Sequence, residues 1–179
     1  MIIRDALPAD AAAIAEIYRP IVERTTISFE LDAPDAAEIR SRIRRVTRIY
    51  PWLVAADSGA VIGYAYATQH RERAAYASSL DVSVYVDGAV RGRGVGSSLY
   101  ATLFRLLEQA GTFHRAFAGI ALPNDASVAL HTKHGFEPVG TYREVGRKFG
   151  RWIDVAWWQR ELRNGGACGE ARTSRMLRC

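Results

Sequence analysis

Gly92, Gly94 and Gly96 alternate with Arg91, Arg93 and Val95 in a short segment that follows the alternating run Ser83-Val84-Tyr85-Val86 and precedes a helical pattern. Glycine at every second position lets the backbone take positive φ and come close to a ligand. The first N–H groups of the following helix have no intrahelical partners. Together these features read as an anion cradle that a diphosphate would satisfy. The spacing GxGxG fits neither the dinucleotide fingerprint GxGxxG nor the phosphate loop, and no Lys-Ser or Lys-Thr pair follows. Upstream, Arg71 and Arg73 are candidates for holding a substrate carboxylate through bidentate, charge-assisted pairing, against the plain reading of two solvated loop arginines.

These groups must be positioned by one compact unit, since 179 residues with 49% hydrophobic content suit a single domain with a substantial core. Residues 1–162 are read as that domain, and 163–179, glycine- and arginine-containing and aperiodic, as a disordered tail. The formal charge of +5 is concentrated there, with Arg163, Arg172, Arg175 and Arg178 opposed by Glu170 alone. What remains is too small for a domain that grips several phosphates, so a nucleic-acid partner is not expected. No membrane partner is expected either, because no apolar run approaches the roughly 18 residues of a span. The start of the chain is unlike a secretory signal. Cys168 and Cys179 both lie in the tail and suggest neither a disulfide framework nor a metal site, so a reducing cytoplasm is the expected compartment.

Periodicity gives the element order βααββββαβαββ, or close to it. Ile2 to Arg4 reads as a strand. Pro8 and Asp10 open a helix with Ile14, Ile17, Ile21 and Val22 inward and Pro20 as a kink or stop. A second helix from Pro34 turns Ile39, Ile43, Val46 and Ile49 inward and leaves Arg40, Arg44 and Arg48 as a solvated face. Trp52 to Ala56 and Val61 to Gln69 form a hairpin around Asp57-Ser58-Gly59. The strand Leu80 to Val86 runs through the glycine segment into a helix over Gly96 to Gln109. Phe113 to Ala121 is a strand, Asn124 to His134 a helix, and Phe136 to Val145 and Trp152 to Leu162 the last strands.

The segment RGRGVG resembles the acetyl-CoA pyrophosphate loop of the GNAT superfamily of N-acetyltransferases. Further stretches are similar to one branch of it, the phosphinothricin and methionine sulfoximine N-acetyltransferases: Tyr50-Pro51-Trp52-Leu53-Val54-Ala55, Ser83-Val84-Tyr85-Val86, Leu122 to His131, and Lys148 to Val155. Phe29, Arg73 and Tyr76 also fall where that branch has similar residues. The resemblance implies an α/β (α+β) fold with a twisted mixed central sheet, flanked by helices and splayed between its fourth and fifth strands. Pantetheine would enter the gap like an added strand, pairing with backbone near Val84 and Val86. It also implies a homodimer.

The implied reaction moves acetyl from acetyl-CoA to the α-amino group of a small amino-acid analogue: phosphinothricin, methionine sulfoximine or methionine sulfone. Thioester aminolysis needs a neutral amine and no metal. For an α-amine titrating near 8, freeing the lone pair at pH 7 costs only about 1.4 kcal/mol, so a weak or water-relayed base suffices.

Asp81 is the candidate base by position, although the branch usually has a glutamate there; the missing methylene shortens the reach by roughly 1.5 Å. The alternative for Asp81 is a carboxylate that caps a turn or holds Arg73. His131 stands where many superfamily members carry a tyrosine that protonates the departing thiolate. Cofactor contacts fall to Val84, Tyr85, Val86, the loop Arg91, Gly92, Arg93, Gly94, Val95 and Gly96, and to Asn124 and Ser127. Asn124 would also cap its helix through Asp125 and Ala126.

Substrate contacts fall to Phe29, Arg71, Arg73 and Tyr85. His134 reads as a helix C-terminal residue, His70 and His114 as structural, and Trp152, Trp157 and Trp158 as core or subunit interface. Two other readings stay open: peptide N-terminal or polyamine acetylation, and a catalytically silent acyl-CoA-binding module.

Overall fold

A computed structural model describes residues 1–163; the expected tail beyond Arg163 lies outside the described residues. β1 (Ile2–Asp5) leads through a single 3-10 turn at Pro8–Asp10 into α1 (Ala11–Arg24). The buried Asp10 fixes this junction. It accepts from the Leu7 N–H at 2.7 Å and takes both guanidinium nitrogens of Arg4 at 2.7 and 2.8 Å. Helix α1 buries Ile14, Ile17, Ile21 and Val22, and Pro20 sits inside it without ending it. α2 (Ala36–Val46) starts where the Asp35 carboxylate accepts from the Glu38 N–H, and it buries Ile39 and Ile43. Because this helix ends at Val46, Ile49 falls past its last turn and is exposed, not inward as the periodicity predicts.

Three strands, not four, separate α2 from the next helix: β2 (Trp52–Asp57), β3 (Ala60–Gln69) and β4 (Ser79–Val86). The charged stretch between β3 and β4 supplies only a 3-10 turn at Ala74–Tyr76. Then follow α3 (Val95–Ala110), β5 (Arg115–Ala121), α4 (Asp125–Lys133), β6 (Glu137–Lys148) and β7 (Arg151–Glu161). The sheet order is β1-β2-β3-β4-β5-β7-β6, antiparallel throughout except for β4 against β5.

Period-2 alternation divides the core between the two faces of the sheet. Leu53, Ala55, Ala65 and Ala67 join Leu99, Leu103 and Leu107 of α3 on one face. Trp52, Val54 and Tyr64 join Ile14, Ile39 and Ile43 of α1 and α2 on the other. Helix α3 thus covers one face, and α1 and α2 cover the other over β2 and β3, which leaves β4 and β5 to open.

That opening is where β4 leaves β5. Their parallel pairing runs only from Ser79↔Arg115 to Asp81↔Phe117, while β4 continues to Val86 and β5 to Ala121. The sheet is mixed and splayed between its fourth and fifth strands, as expected.

Candidate functional site

The register of β4 decides what the splay exposes. Ser78 O accepts from the His114 N–H on the β5 side, whereas the Asp87 N–H donates to Ile62 O on the β3 side. Hydrogen-bonding direction alternates along a strand, so Val84 and Val86 turn their backbone groups toward β5, beyond the point where pairing with β5 stops. A narrow slot of about 60 Å³ follows, walled by Val82 to Tyr85 and Ala118 to Ala121 and bordered by Tyr100, Asn124, Ser127 and His131.

At the C-terminal end of β4, the Asp87 carboxylate accepts from the Ala89 N–H and forms a 3-10 turn over Gly88–Val90. Gly92 and Gly94 then both take φ of +79°, a conformation that costs an L-residue roughly 1–2 kcal/mol. Gly94 is the N-cap of α3, and it has no side chain to cap the first turn. The N–H groups of Val95, Gly96 and Ser97 are thus left for an external acceptor, at the positive end of a helix and beside the exposed Arg91 and Arg93. Backbone for a pantetheine arm, and N–H groups with arginines for a diphosphate, lie on the same side of β4: these residues fit acetyl-CoA.

On α4, Asn124 caps the helix by accepting from the Ser127 N–H at 3.2 Å, one residue beyond the amides expected. His131 is buried. Its Nδ1 lies 2.7 Å from Ser127 O, which can only accept, so Nδ1 carries the proton and Nε2 accepts from the Tyr100 hydroxyl at 3.0 Å. Burial pulls the imidazole below its ordinary value and the charge of His134 adds to this, while the bond to Ser127 O opposes it. Burial also drives the Tyr100 hydroxyl far above its ordinary range. His134 joins its Nε2 to Ser97 Oγ at 3.0 Å and ties α4 to the first turn of α3.

A second concavity of about 500 Å³ shares Tyr85, Gly119 and Ala121 with the slot and extends to Phe29, Asp81 and Trp157. The irregular segment Thr25–Glu30 after α1 forms one wall, held by polar contacts. The Tyr18 hydroxyl meets Ser28 Oγ at 2.6 Å and donates to Glu30, which pairs bidentately with Arg42. The buried Lys148 donates to Val22 O and Ser28 O. Phe29 lies over Gly146 of β6, where any Cβ would run into its ring.

Asp81 faces this groove, with Oδ1 2.7 Å from His70 Nδ1. Burial pushes its carboxyl above the usual range; the hydrogen bond and charge of His70, then the charge of Arg71, pull the other way. Arg71 lies over the Trp157 ring at 5.7 Å and donates to His70 O. Arg73, by contrast, is exposed, and among the described residues its side chain makes no hydrogen bond or ion pair. The structure thus gathers Phe29, Asp81 and Tyr85 in the groove, places Arg71 against its Trp157 wall, and leaves Arg73 outside.

Two groups read as structural or core belong here. His70 touches Asp81, and Trp157 lines the groove with Val155, which shares its face of β7. For Trp157 the two-residue period from Val155 was the available signal; for His70, one residue past β3, there was none.

The profile of the family described as acetyltransferase (GNAT) domain matches residues 3–157. Over 174 residues the chain is 41% identical to the phosphinothricin N-acetyltransferase of Streptomyces coelicolor, a match covering 89% of this chain and 95% of that one. It is 37% identical to the L-methionine sulfoximine/L-methionine sulfone acetyltransferase of Pseudomonas aeruginosa, covering 89% and 94%. Among solved structures, a GNAT superfamily phosphinothricin acetyltransferase from Sinorhizobium meliloti in complex with AcCoA superposes with a TM-score of 0.89 at 38% identity, over 96% of this chain and 94% of that one.

Proposed function

The chain belongs to the GNAT acetyltransferase family and is an acetyl-CoA-dependent N-acetyltransferase, and from that premise we propose that it acetylates the α-amino group of a small amino-acid analogue of the phosphinothricin, methionine sulfoximine or methionine sulfone type. The observation that carries this reading is the shared wall of slot and groove. Tyr85, Gly119 and Ala121 border both, so an acceptor in the groove meets the cofactor channel beside Asp81.

Bound acetyl-CoA supplies an acetyl thioester; the rest is done by the chain. Val84 and Val86 hold the pantetheine arm by backbone pairing, and Asn124 and Ser127 stand beside it. Arg91, Arg93 and the N–H groups from Gly92 to Gly96 hold the diphosphate. Phe29 and Tyr85 confine the acceptor, and Arg71, with Arg73 if its loop closes, pairs with the carboxylate. Asp81 takes the ammonium proton and exposes the lone pair. At the other end, His131 and Tyr100 return a proton to the departing sulfur. For this the neutral imidazole first takes a proton from water at Nε2; that imidazolium gives it to the tyrosine oxygen as the hydroxyl proton passes to sulfur, so no tyrosinate forms and the Nδ1–H imidazole is restored.

A polyamine would favour an acidic groove, but here Arg71 accompanies Asp81. A silent binding module has no use for a half-buried carboxylate in the groove beside the slot. The reading also includes a single domain over 1–162 and a cytoplasmic homodimer. Exposed Val139, Tyr142 and Val145 on the edge strand β6 support the dimer.

The test follows thiol release from acetyl-CoA against amino acids, sulfoximines, sulfones, polyamines and N-terminal peptides. Acceptor-dependent release with the sulfoximine-type amino acids is expected. Release only with peptides or polyamines, or none at all, defeats the reading.

A further inference from the structure

Asp81↔Phe117 is the last paired rung before β4 and β5 splay, and one side chain grips both of its members. The His70 ring stacks on Phe117, with centroids 4.3 Å apart and planes 15° from parallel, while its Nδ1 lies 2.7 Å from Asp81 Oδ1. Trp157 and Tyr76 close the ring edge-on, each at 6.1 Å. The His70 side chain is only 11% exposed, against 30% for Asp81. A ring so enclosed cannot follow the carboxylate about; it fixes where the carboxylate sits. Because Asp81 accepts at Oδ1, its other oxygen is left to the groove, with no protein donor among the described residues.

We propose that His70 is the positioning residue of the base, holding Asp81 in one orientation with its free oxygen toward the groove through an Nδ1–H···Oδ1 hydrogen bond. This rests on the reading of the groove as the acceptor site. The hydrogen of this bond lies on Nδ1, since a carboxylate only accepts. When the acceptor's N–H bond breaks, the proton goes to the free oxygen of Asp81 and the electron pair stays on nitrogen. The bond from His70 remains in place throughout, and water later takes the proton from the carboxyl. A misplacement of about 1 Å at such a group costs on the order of 100-fold in rate.

The groups that face this pair are few. They are Arg71 from its own loop, Tyr66 from β3, Phe117 from β5, Trp157 from β7 and Tyr76 from the 3-10 turn, of which Arg71 alone carries charge near neutrality. The His70 hydrogen bond draws the Asp81 carboxyl down against the effect of burial. Its loss therefore moves the carboxyl up, and the acid limb of the rate profile with it.

His70→Phe keeps the stack and removes the donor, whereas His70→Asn places an amide N–H near the Nδ1 position. The expected result for His70→Phe is a kcat lower by about 10- to 100-fold, unchanged acetyl-CoA affinity and an acid limb shifted to higher pH. His70→Asn recovers most of both. Wild-type kcat and pH profile in His70→Phe, or no recovery in a folded His70→Asn, overturns the proposal. Nitrogen-15 shifts of the imidazole read the bond without any substitution at His70: wild type holds the Nδ1–H form and Asp81→Ala, which has no acceptor, releases it. A wild-type ring protonated on Nε2 overturns the proposal even if the variants do not fold. An inactive wild type with a locked Nδ1–H ring would instead defeat the acceptor-site reading and leave the His70 bond standing.

Discussion

Lys148 Nζ donates to Ser28 O at 2.7 Å and to Val22 O at 2.6 Å, so one buried ammonium on β6 fastens the end of α1 and the loop that walls the groove. Burial holds the amine below its ordinary range, opposed by the charge of Glu30. Lys148→Met leaves two carbonyls without their donor, and a buried unsatisfied group costs about 1–3 kcal/mol. The expected outcome is a stability loss of at least about 2 kcal/mol in denaturant titration, with a raised acceptor KM once the loop loosens. A variant as stable as wild type would show that the loop is held by the Tyr18, Glu30 and Arg42 contacts alone.

Gly146 separates groove shape from stability. Any Cβ there strikes the Phe29 ring, but Phe29 is 40% exposed and can swing into solvent without moving the backbone. Gly146→Ala is therefore expected to change stability by less than about 1 kcal/mol, within the ordinary range for substitutions that disturb no core. Acceptor KM should rise severalfold at unchanged acetyl-CoA affinity. An unchanged KM removes Phe29 from the acceptor wall.

What sequence could show and what it could not divides along the range of the interactions. The slot was legible because its cause is local: an alternating strand, a glycine turn and a helix start lie in one continuous stretch from Ser83 to Ser97. Helix α4 was legible for the same reason, through Asn124. The grip of His70 on Asp81 spans 11 positions and depends on how a loop folds back over β5, and Lys148 meets Val22 across 126; no periodicity encodes either contact. The expected order counted one strand more than any alternating segment supported, and the charged stretch between β3 and β4 holds only the 3-10 turn at Ala74–Tyr76.

Acid stability should carry the signature of Asp10. The Arg4 hydrogen bond draws this carboxyl below its ordinary value, with the Leu7 N–H and the charge of Arg4 adding to it and burial opposing. A depressed folded-state value means the stabilisation is fully present above the unfolded carboxyl value of about 3.9 and is lost as pH falls through the lower folded one. Asp10→Asn should cost about 1–3 kcal/mol at pH 7, and the gap to wild type should close below about pH 4. A gap that persists undiminished at pH 2 would mean that shape, not charge, matters at this junction.

Replacing Gly94 tests the diphosphate cradle through the backbone. Open space surrounds the Cβ position, so Gly94→Val meets no neighbour and acts through its φ of +79°. Either the variant bears strain of roughly 1–2 kcal/mol, more for a β-branched residue, or the turn relaxes and the first amides of α3 lose their common direction. Acetyl-CoA affinity should fall at least tenfold by calorimetry, while acceptor KM at saturating cofactor moves little. Unchanged affinity would contradict the cradle.

Tyr100→Phe isolates the proton returned to sulfur. The hydroxyl is buried and donates to His131 Nε2, so its removal leaves that nitrogen without a partner and breaks the relay to the slot. The lost hydrogen bond costs about 1 kcal/mol of stability, while loss of general acid catalysis costs about 100-fold or more in rate. The two effects separate by leaving group: an acetyl thioester of a more acidic thiol needs no proton on departure, so the variant should approach wild-type rate with it and stay slow with acetyl-CoA. His131→Asn should follow the same pattern if the two side chains act as one donor. Equal slowing with both thioesters would assign Tyr100 and His131 to the packing of α4 on α3 and leave the sulfur to be protonated by water.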